Sequence, residues 1–338
     1  MLRTTFLAGS AASLTALVTR PATAAGSRTV TVSVGGASLM TYLPLTIALR
    51  NRYFQDEGLD VQVSDFAGGA QSVEALVGGS VDLMCAAYEH TQLMQAKGIG
   101  LTAVALLSTS YGVVVALSKA AAARYRTPAD LSGMKLGVTA PGSSSALAVQ
   151  LLIAKAGLPP DAVSTIGIGT GAAAVAAAQS GQLNGISNFD PVISQLTQTG
   201  EIVPIVDTRT QKGINYLYGG EILGSAITGK SSYIASQPQI AQSFVNAIVR
   251  ALHWLRTASA DAVVATVPPE FYGQARDLYK TSFTSSRALF SPDGRFSLAA
   301  ATHLNTVLTS YGTLAGQHID LPKTFDNTFA AVANQRYH

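Results

Sequence analysis

The chain has 338 residues, 48% hydrophobic and 12% charged, with a formal net charge of +3. That length allows about two domains with a core large enough to fold without staples, and the aliphatic content is far from that of a disordered chain. The single cysteine, Cys85, excludes an internal disulfide framework and any cysteine-based zinc site, and no basic stripe argues for nucleic acid.

Residues 1–25 read as an export signal. Arg3 supplies a positive start, residues 6–18 form a weakly apolar run, and Ala22-Thr23-Ala24 offers an A-x-A cleavage site. The apolar run is too short to span a bilayer; the competing reading is an N-terminal helix of the core. The Arg3-Thr4-Thr5-Phe6-Leu7 start resembles a twin-arginine leader lacking its second Arg, and Arg20 precedes the cleavage site. No Cys follows that site, so no lipid anchor is expected. Cleavage removes both arginines and leaves a net charge of +1. The expected product is a periplasmic, monomeric protein.

Strand and helix patterns then alternate. Residues 29–34 alternate with period two and end at Gly35-Gly36. Pro44 opens a predicted helix running to Glu57, with Gly58 as its left-handed stop. A strand is predicted at 59–63, then a helix after Gly68-Gly69 with Val73, Leu76 and Val77 on one face, then buried strands at 81–85 and 101–107. A second unit follows: a capped start at Thr127-Pro128, a strand at 135–139, a helix at 144–156 closed by Gly157, strands at 163–168 and 183–187, and a helix at 171–180. The segment 202–206 contains Pro204 and reads as an edge strand, because proline cannot donate to a ladder. From Pro238 onward the pattern is mainly helical. A faint echo links residues 76–82 with 178–184 and suggests two lobes of like construction. This βαβα order predicts mostly parallel sheets flanked by helices, with ligand binding beyond the carboxyl ends of the strands.

The search for chemistry finds little of the catalytic kind. None of the five histidines has metal-ligand spacing, Gly-x-Ser-x-Gly does not occur, and Gly229-Lys230-Ser231 sits in a β-rich context unlike a phosphate loop. No metal, cofactor or catalytic residue is expected. The loop 141–145, Pro-Gly-Ser-Ser-Ser between a strand and a helix, is the most suggestive feature. Its N–H groups and hydroxyls gather at a positive helix end suited to an anion, although a plain serine cap has the same sequence. Tyr88 offers a stacking face and Glu89 an acceptor for an amine or ring N–H, or else only a first-turn helix acid. Cys85 reads as a packed thiol, Asp190 as the cap of a helix begun by Pro191, and Asn188 as free to reach a ligand.

The stretch 43–61, L-P-L-T-I-A-L-R-N-R-Y-F-Q-D-E-G-L-D-V, resembles the N-terminal signature of bacterial substrate-binding proteins for nitrate, aliphatic sulfonate, taurine and thiamine-precursor uptake. Further matches stand in the family order at Gly68-Gly69-Ala70, 75–82, 130–138, 141–143 and 155–158. The resemblance implies a two-lobed α/β fold of the type II periplasmic binding protein class, with two crossover strands. Lobe 1 would hold residues 27–112 with 217–338, and lobe 2 residues 113–216. The hinge strands are expected at 111–115 and 216–220. Ligand contacts carry over to Ser38, Tyr42, Gly69, Ala70, Tyr88, Glu89, Ser143, Ser144 and Asn188. The chain departs from the family in having Asn184 where Asp is common, and in lacking Arg in these loops. The implied function is an extracytoplasmic receptor that binds a small, anionic organic solute and delivers it to the permease and ATPase subunits of an ABC importer. Two alternatives are weighed against it. One is an enzyme of the same fold, such as a thiamine-pyrimidine synthase, whose Cys-rich motif is absent; the other is a membrane-tethered sensor.

Overall fold

The computed structural model describes Met1, residues 27–311 and residues 313–337. The expected export signal lies almost wholly outside the described residues.

In chain order, β1 (Arg28–Val34) leads to α1 (Leu43–Arg50), α2 (Tyr53–Asp56), β2 (Leu59–Asp65), α3 (Gly69–Gly78), β3 (Leu83–Ala87), α4 (Glu89–Gln95) and β4 (Leu101–Leu106). Then come β5 (Val114–Ser118), α5 (Lys119–Ala122), β6 (Lys135–Val138), α6 (Ser144–Lys155), β7 (Ser164–Gly167), α7 (Gly171–Gln179), β8 (Gly185–Asn188), α8 (Val192–Gln198), β9 (Ile202–Asp207) and α9 (Gln211–Tyr218). The chain ends through β10 (Ser225–Lys230), α10 (Ser231–Ser236), α11 (Pro238–Thr257), α12 (Ala260–Thr266), α13 (Arg276–Ser286), α14 (Leu298–Ser310) and α15 (Thr328–Arg336).

The strands form two sheets, ordered β2-β1-β3-β10-β4 and β7-β6-β8-β5-β9. In the first, β1 runs parallel to β2 and β3 while β10 is antiparallel to both its neighbours. In the second, β6 runs parallel to β7 and β8 while β5 is antiparallel to its neighbours. The reversed strand in each sheet is the first one made after the chain crosses over: β5 on leaving the first sheet, β10 on returning. The architecture is therefore two lobes of the same construction, as the alternating pattern predicts. β9 lies at a sheet edge, where Pro204 leaves no ladder bond unmade. Gly157 adopts a left-handed φ of 70° directly after α6, as a helix stop requires.

Two expectations need correction. The helix predicted from Pro44 to Glu57 is broken, because Arg52 takes φ 61° between α1 and α2. The break turns Phe54 inward, where its ring centroid lies 4.5 Å from that of Phe244 on α11. The run 216–220 is not a hinge strand: α9 continues through Tyr218 and Gly219 ends it at φ 83°. The chain crosses instead through residues 107–113 and 219–224. These two crossovers pair with each other, Leu107 N–H donating to Ser225 O at 2.7 Å and Gly224 N–H to Ser108 O at 3.0 Å. A Cβ on Gly224 would stand 2.4 Å from Ser110 O, so this close approach needs glycine.

Candidate functional site

The loops at the carboxyl ends of both sheets meet face to face. A Cβ on Gly68 would stand 2.9 Å from Ala140 Cβ and 3.1 Å from Thr139 Oγ1. One on Gly36 would stand 2.7 Å from Thr170 Cγ2, one on Gly142 3.7 Å from Ala70 Cβ, and one on Gly171 3.7 Å from Ser38 Oγ. Met40 N–H donates to Asp190 O across the same seam at 3.1 Å. Expected contact residues Ser38, Gly69, Ala70 and Ser144 thus stand on or beside one interlobe seam.

Three helices begin here, α3, α6 and α7, with Gly68, Ser143 and Thr170 at their N-cap positions. Gly68 has no side chain to cap with, and neither Ser143 nor Thr170 makes a side-chain capping hydrogen bond. Each start leaves N–H groups without an intrahelical partner and carries the positive end of a macrodipole. Arg209 does not serve an anion here. It is held by Asp207 at 2.7 Å and by Asp190 at 2.8 Å. Asp65 Oδ1 accepts from Gly36 N–H at 3.1 Å and Ala37 N–H at 2.8 Å, which fixes the loop after β1.

The three serines of the 141–145 loop have separate fates. Ser143, Ser145 and Thr139 hydroxyls form a closed ring with contacts of 2.8–2.9 Å, and Ser143 also donates to Ala140 O. Ser144, the first residue of α6, is buried and makes no side-chain hydrogen bond among the described residues. Asn188 does not reach freely into the cleft. Its side chain donates to Gly169 O at 3.3 Å and accepts from Phe189 N–H at 2.9 Å, tying two loops together. Asp190 caps as expected, its Oδ1 accepting from Ser194 N–H and Oγ–H.

Tyr88 is also elsewhere than expected. Its ring packs against Phe296 and Phe325, and its hydroxyl meets Thr324 Oγ1 inside lobe 1. Glu89 instead sits with Tyr42, Tyr111 and Tyr218 in a fully buried polar cluster. Burial pushes its carboxyl up to about 7, and the neighbouring Tyr111 hydroxyl only partly offsets this. The Glu89 carboxyl and the Tyr111 hydroxyl face each other within this cluster, while Tyr218 Oη has no hydrogen-bond partner among the described residues. Tyr111 and Tyr218 pack edge to face with centroids 5.8 Å apart. Cys85 is a buried thiol whose pKa burial raises well above its ordinary value, which suits packing rather than reactivity.

Sequence reasoning missed His90, Tyr111 and Tyr218. His90 is 3% exposed, its Nε2 is unpartnered, and burial lowers its pKa to about 4. The one available signal was its place directly after Glu89 at a strand end. Among the described residues no group of three or more His, Cys, Asp or Glu is arranged to hold a metal ion, and no helix is long and apolar enough to cross a membrane.

Comparison with known proteins follows the same geometry. The NMT1-like family model matches residues 25–267. A solved structure from Bordetella bronchiseptica RB50 is 40% identical, covering 91% of this chain and 97% of its own, with a TM-score of 0.88. The alkanesulfonate-binding protein SsuA of Xanthomonas axonopodis pv. citri, bound to MOPS, is 19% identical over 89% of this chain and 100% of its own, with a TM-score of 0.71. The periplasmic nitrate-binding protein NrtA of Synechocystis PCC 6803 is 17% identical over 92% and 89%, also at 0.71. The fold extends to an enzyme as well, the desulfurization enzyme DSZB, at 16% identity over 90% and 99% and a TM-score of 0.57. With nearly three quarters of its length matched, this chain belongs to the NMT1-like family.

Proposed function

We propose that the protein is the solute receptor of an ABC importer and closes its two lobes on an organic anion. The observation that carries this is the meeting of three helix starts, α3, α6 and α7, across one seam, where Arg209 is already held by Asp190 and Asp207. Backbone N–H groups at such ends hold a carboxylate or sulfonate without arginine. The alkanesulfonate and nitrate receptors of the same fold also take anions. The paired crossovers at 107–113 and 219–224 are the hinge, and the second sheet with its helices, from β5 through α9, moves as lobe 2 against the rest. In this reading residues 1–25 direct export, the mature chain works as a periplasmic monomer, and its partners are the importer's permease and ATPase. The cleft recognises and releases; it does not convert.

Thermal unfolding of the mature protein against small sulfonates, carboxylates and inorganic oxyanions tests the reading. A true ligand at a hundred times its dissociation constant adds about 2.7 kcal/mol of stability. Solution scattering on the same pair shows compaction, and mass spectrometry recovers the solute unchanged. Absence of stabilisation by every anion defeats the anion cleft, and recovery of a converted product favours an enzyme of this fold.

A further inference from the structure

Glu89 belongs to lobe 1, but the groups around it belong to the hinge. Tyr88 N–H, one residue earlier, donates to Gly224 O of the second crossover at 2.8 Å. Tyr111 comes from the first crossover, and Tyr218 is the last residue of α9 before the second. Tyr42 closes the cluster from the turn before α1. Its neighbour Thr41 bonds Ser108 Oγ of the first crossover at 3.1 Å and Ser225 Oγ, just beyond the second, at 2.6 Å. The carboxyl is thus enclosed by lobe 1 and both crossovers at once. A rotation about the hinge moves Tyr111 and Tyr218 relative to it.

The seat is dry while the seam is closed. Glu89 and Tyr111 are each 1% exposed. Beside Tyr111 the seam leaves a gap of about 10 Å³ between Met40, Asp190 and Ser286, room for at most about one water. Opening the seam widens that gap and brings water to the cluster. The ionisable groups that act on Glu89 and its three tyrosines are Asp65 at the end of β2, Cys85 on β3 and Tyr88 before α4, all of them acids. His90, next along α4, is kept neutral by burial, with a pKa of about 4. Arg209, whose Cγ lies 3.9 Å from where a Cβ on Gly112 would stand, is held by Asp190 and Asp207.

We propose that Glu89 is a proton-operated latch of the hinge: the protonated carboxyl holds the lobes closed, and its ionisation opens them. The inference rests on the reading of the crossovers as a hinge and asks nothing of the solute's chemistry. Only the charged carboxyl demands water, and only the open form supplies it. Burial puts the closed-state carboxyl at about 7 against an ordinary 4.5, and hydration on opening lowers it again. Closure therefore takes up a proton. Its advantage is whole below the open-state value, falls about tenfold per pH unit above it, and is gone once pH passes about 7. With the open carboxyl at its ordinary value, the closing equilibrium falls about 300-fold in all. The receptor holds its solute in acid and lets it go as pH rises.

The test needs no solute. A Cβ on Gly142 would stand 3.7 Å from Ala70 Cβ, the separation a disulfide across the seam requires. Ala70→Cys with Gly142→Cys gives one chain that is locked closed when oxidised and free to open when reduced. Carbon-13 NMR follows the Glu89 carboxyl, assigned by its absence in Glu89→Gln, and solution scattering follows the radius. The oxidised chain titrates at about 7, and in the reduced chain the carboxyl is at least about tenfold more acidic. The reduced chain expands between about pH 5 and about pH 8.5, while the oxidised chain and a reduced Glu89→Gln variant stay compact. Tyr111→Phe removes the hydroxyl that lowers the carboxyl, so the oxidised titration moves above 7. The same scattering comparison of the natural chain with Glu89→Gln covers the case of a bridge that does not form, and melting curves confirm folding. One titration common to both redox forms, or a reduced chain as compact at about pH 8.5 as the oxidised one, overturns the latch. Failure of the anion panel above leaves these readings untouched, so the two fail separately.

Discussion

The two lobes repeat one topology but finish their cleft edges in opposite ways. On lobe 2 the polar groups satisfy one another: Thr139, Ser143 and Ser145 close a hydroxyl ring, Asn188 ties two loops, and Arg209 is consumed by Asp190 and Asp207. On lobe 1 and its crossovers, Glu89 is fully buried against the Tyr111 hydroxyl, and His90 Nε2 is buried without a partner among the described residues. Satisfied networks rigidify, and unsatisfied buried groups stand at sites completed by something else. On the proposed anion-cleft reading, that difference would make lobe 2 the preformed side of the clamp and lobe 1 the side left to adjust to its solute.

The sharpest way to break that comparison is Glu89→Gln in the ligand-free protein. The folded Glu89 carboxyl titrates near 7 against an ordinary 4.5 because burial disfavours its charge. Its neutral form is therefore compatible with the fold up to the ordinary value, and the stability it contributes is lost as pH rises through 7. Glutamine carries no charge at any pH. The variant should match the natural protein at pH 4 and exceed it increasingly from pH 5 to 8, by up to about 3 kcal/mol. His90 has the opposite sign: its pKa falls to about 4 from 6.5, so its contribution is whole above pH 6.5 and lost as pH falls through 4. The two slopes oppose each other between about 4.5 and 6.5, and only the single variants expose them. Urea melts across this range decide the matter. A pH-independent difference for Glu89→Gln would place the carboxyl in water and erase the contrast between the lobes.

The part of this arrangement that was legible in the sequence is the part set by local chemistry. Period-two runs, the glycine stops and Pro204 at an edge act through neighbours a few residues away, so their elements could be placed. The three helix starts could be placed for the same reason. Tyr88 could not, because its ring is claimed by Phe296, Thr324 and Phe325, more than two hundred residues further along. The break at Arg52 likewise goes with a distant contact, that of Phe54 with Phe244, and no glycine or proline announces it. Whether a hydroxyl points at a ligand or at its own loop is a matter of rotamer and register, which spacing does not encode.

A second test addresses the seam between the lobes. Gly68 has φ −172°, an extended backbone open to any residue, so Gly68→Val does not strain the chain locally. Its side chain would collide with Thr139 and Ala140 across the seam. Overpacking of this kind costs about 1–3 kcal/mol, and here the cost falls on closure. Affinity for any solute should fall roughly five- to a hundredfold while the ligand-free melt is unchanged, and scattering should show less compaction. Full affinity in this variant would mean that binding does not need the closed seam.

The smallest effect separates two adjacent serines and tests the division of labour within lobe 2. Ser143 donates to Ala140 O and completes the ring with Thr139 and Ser145, so its hydroxyl is already spent on the loop. Ser143→Ala should cost about 1 kcal/mol of folding stability and shift affinity by no more than about twofold. Ser144 has no internal partner and opens α6 at the seam. Ser144→Ala should leave the melt in place and weaken anion binding about tenfold, the low end for a hydrogen bond to a charged group. Paired melts and titrations of both variants read the two quantities separately. The opposite assignment, with affinity lost at Ser143 and stability lost at Ser144, would require the hydroxyl ring to open when solute arrives. Lobe 2 would then adapt to its ligand, and its role as a preformed clamp would be lost.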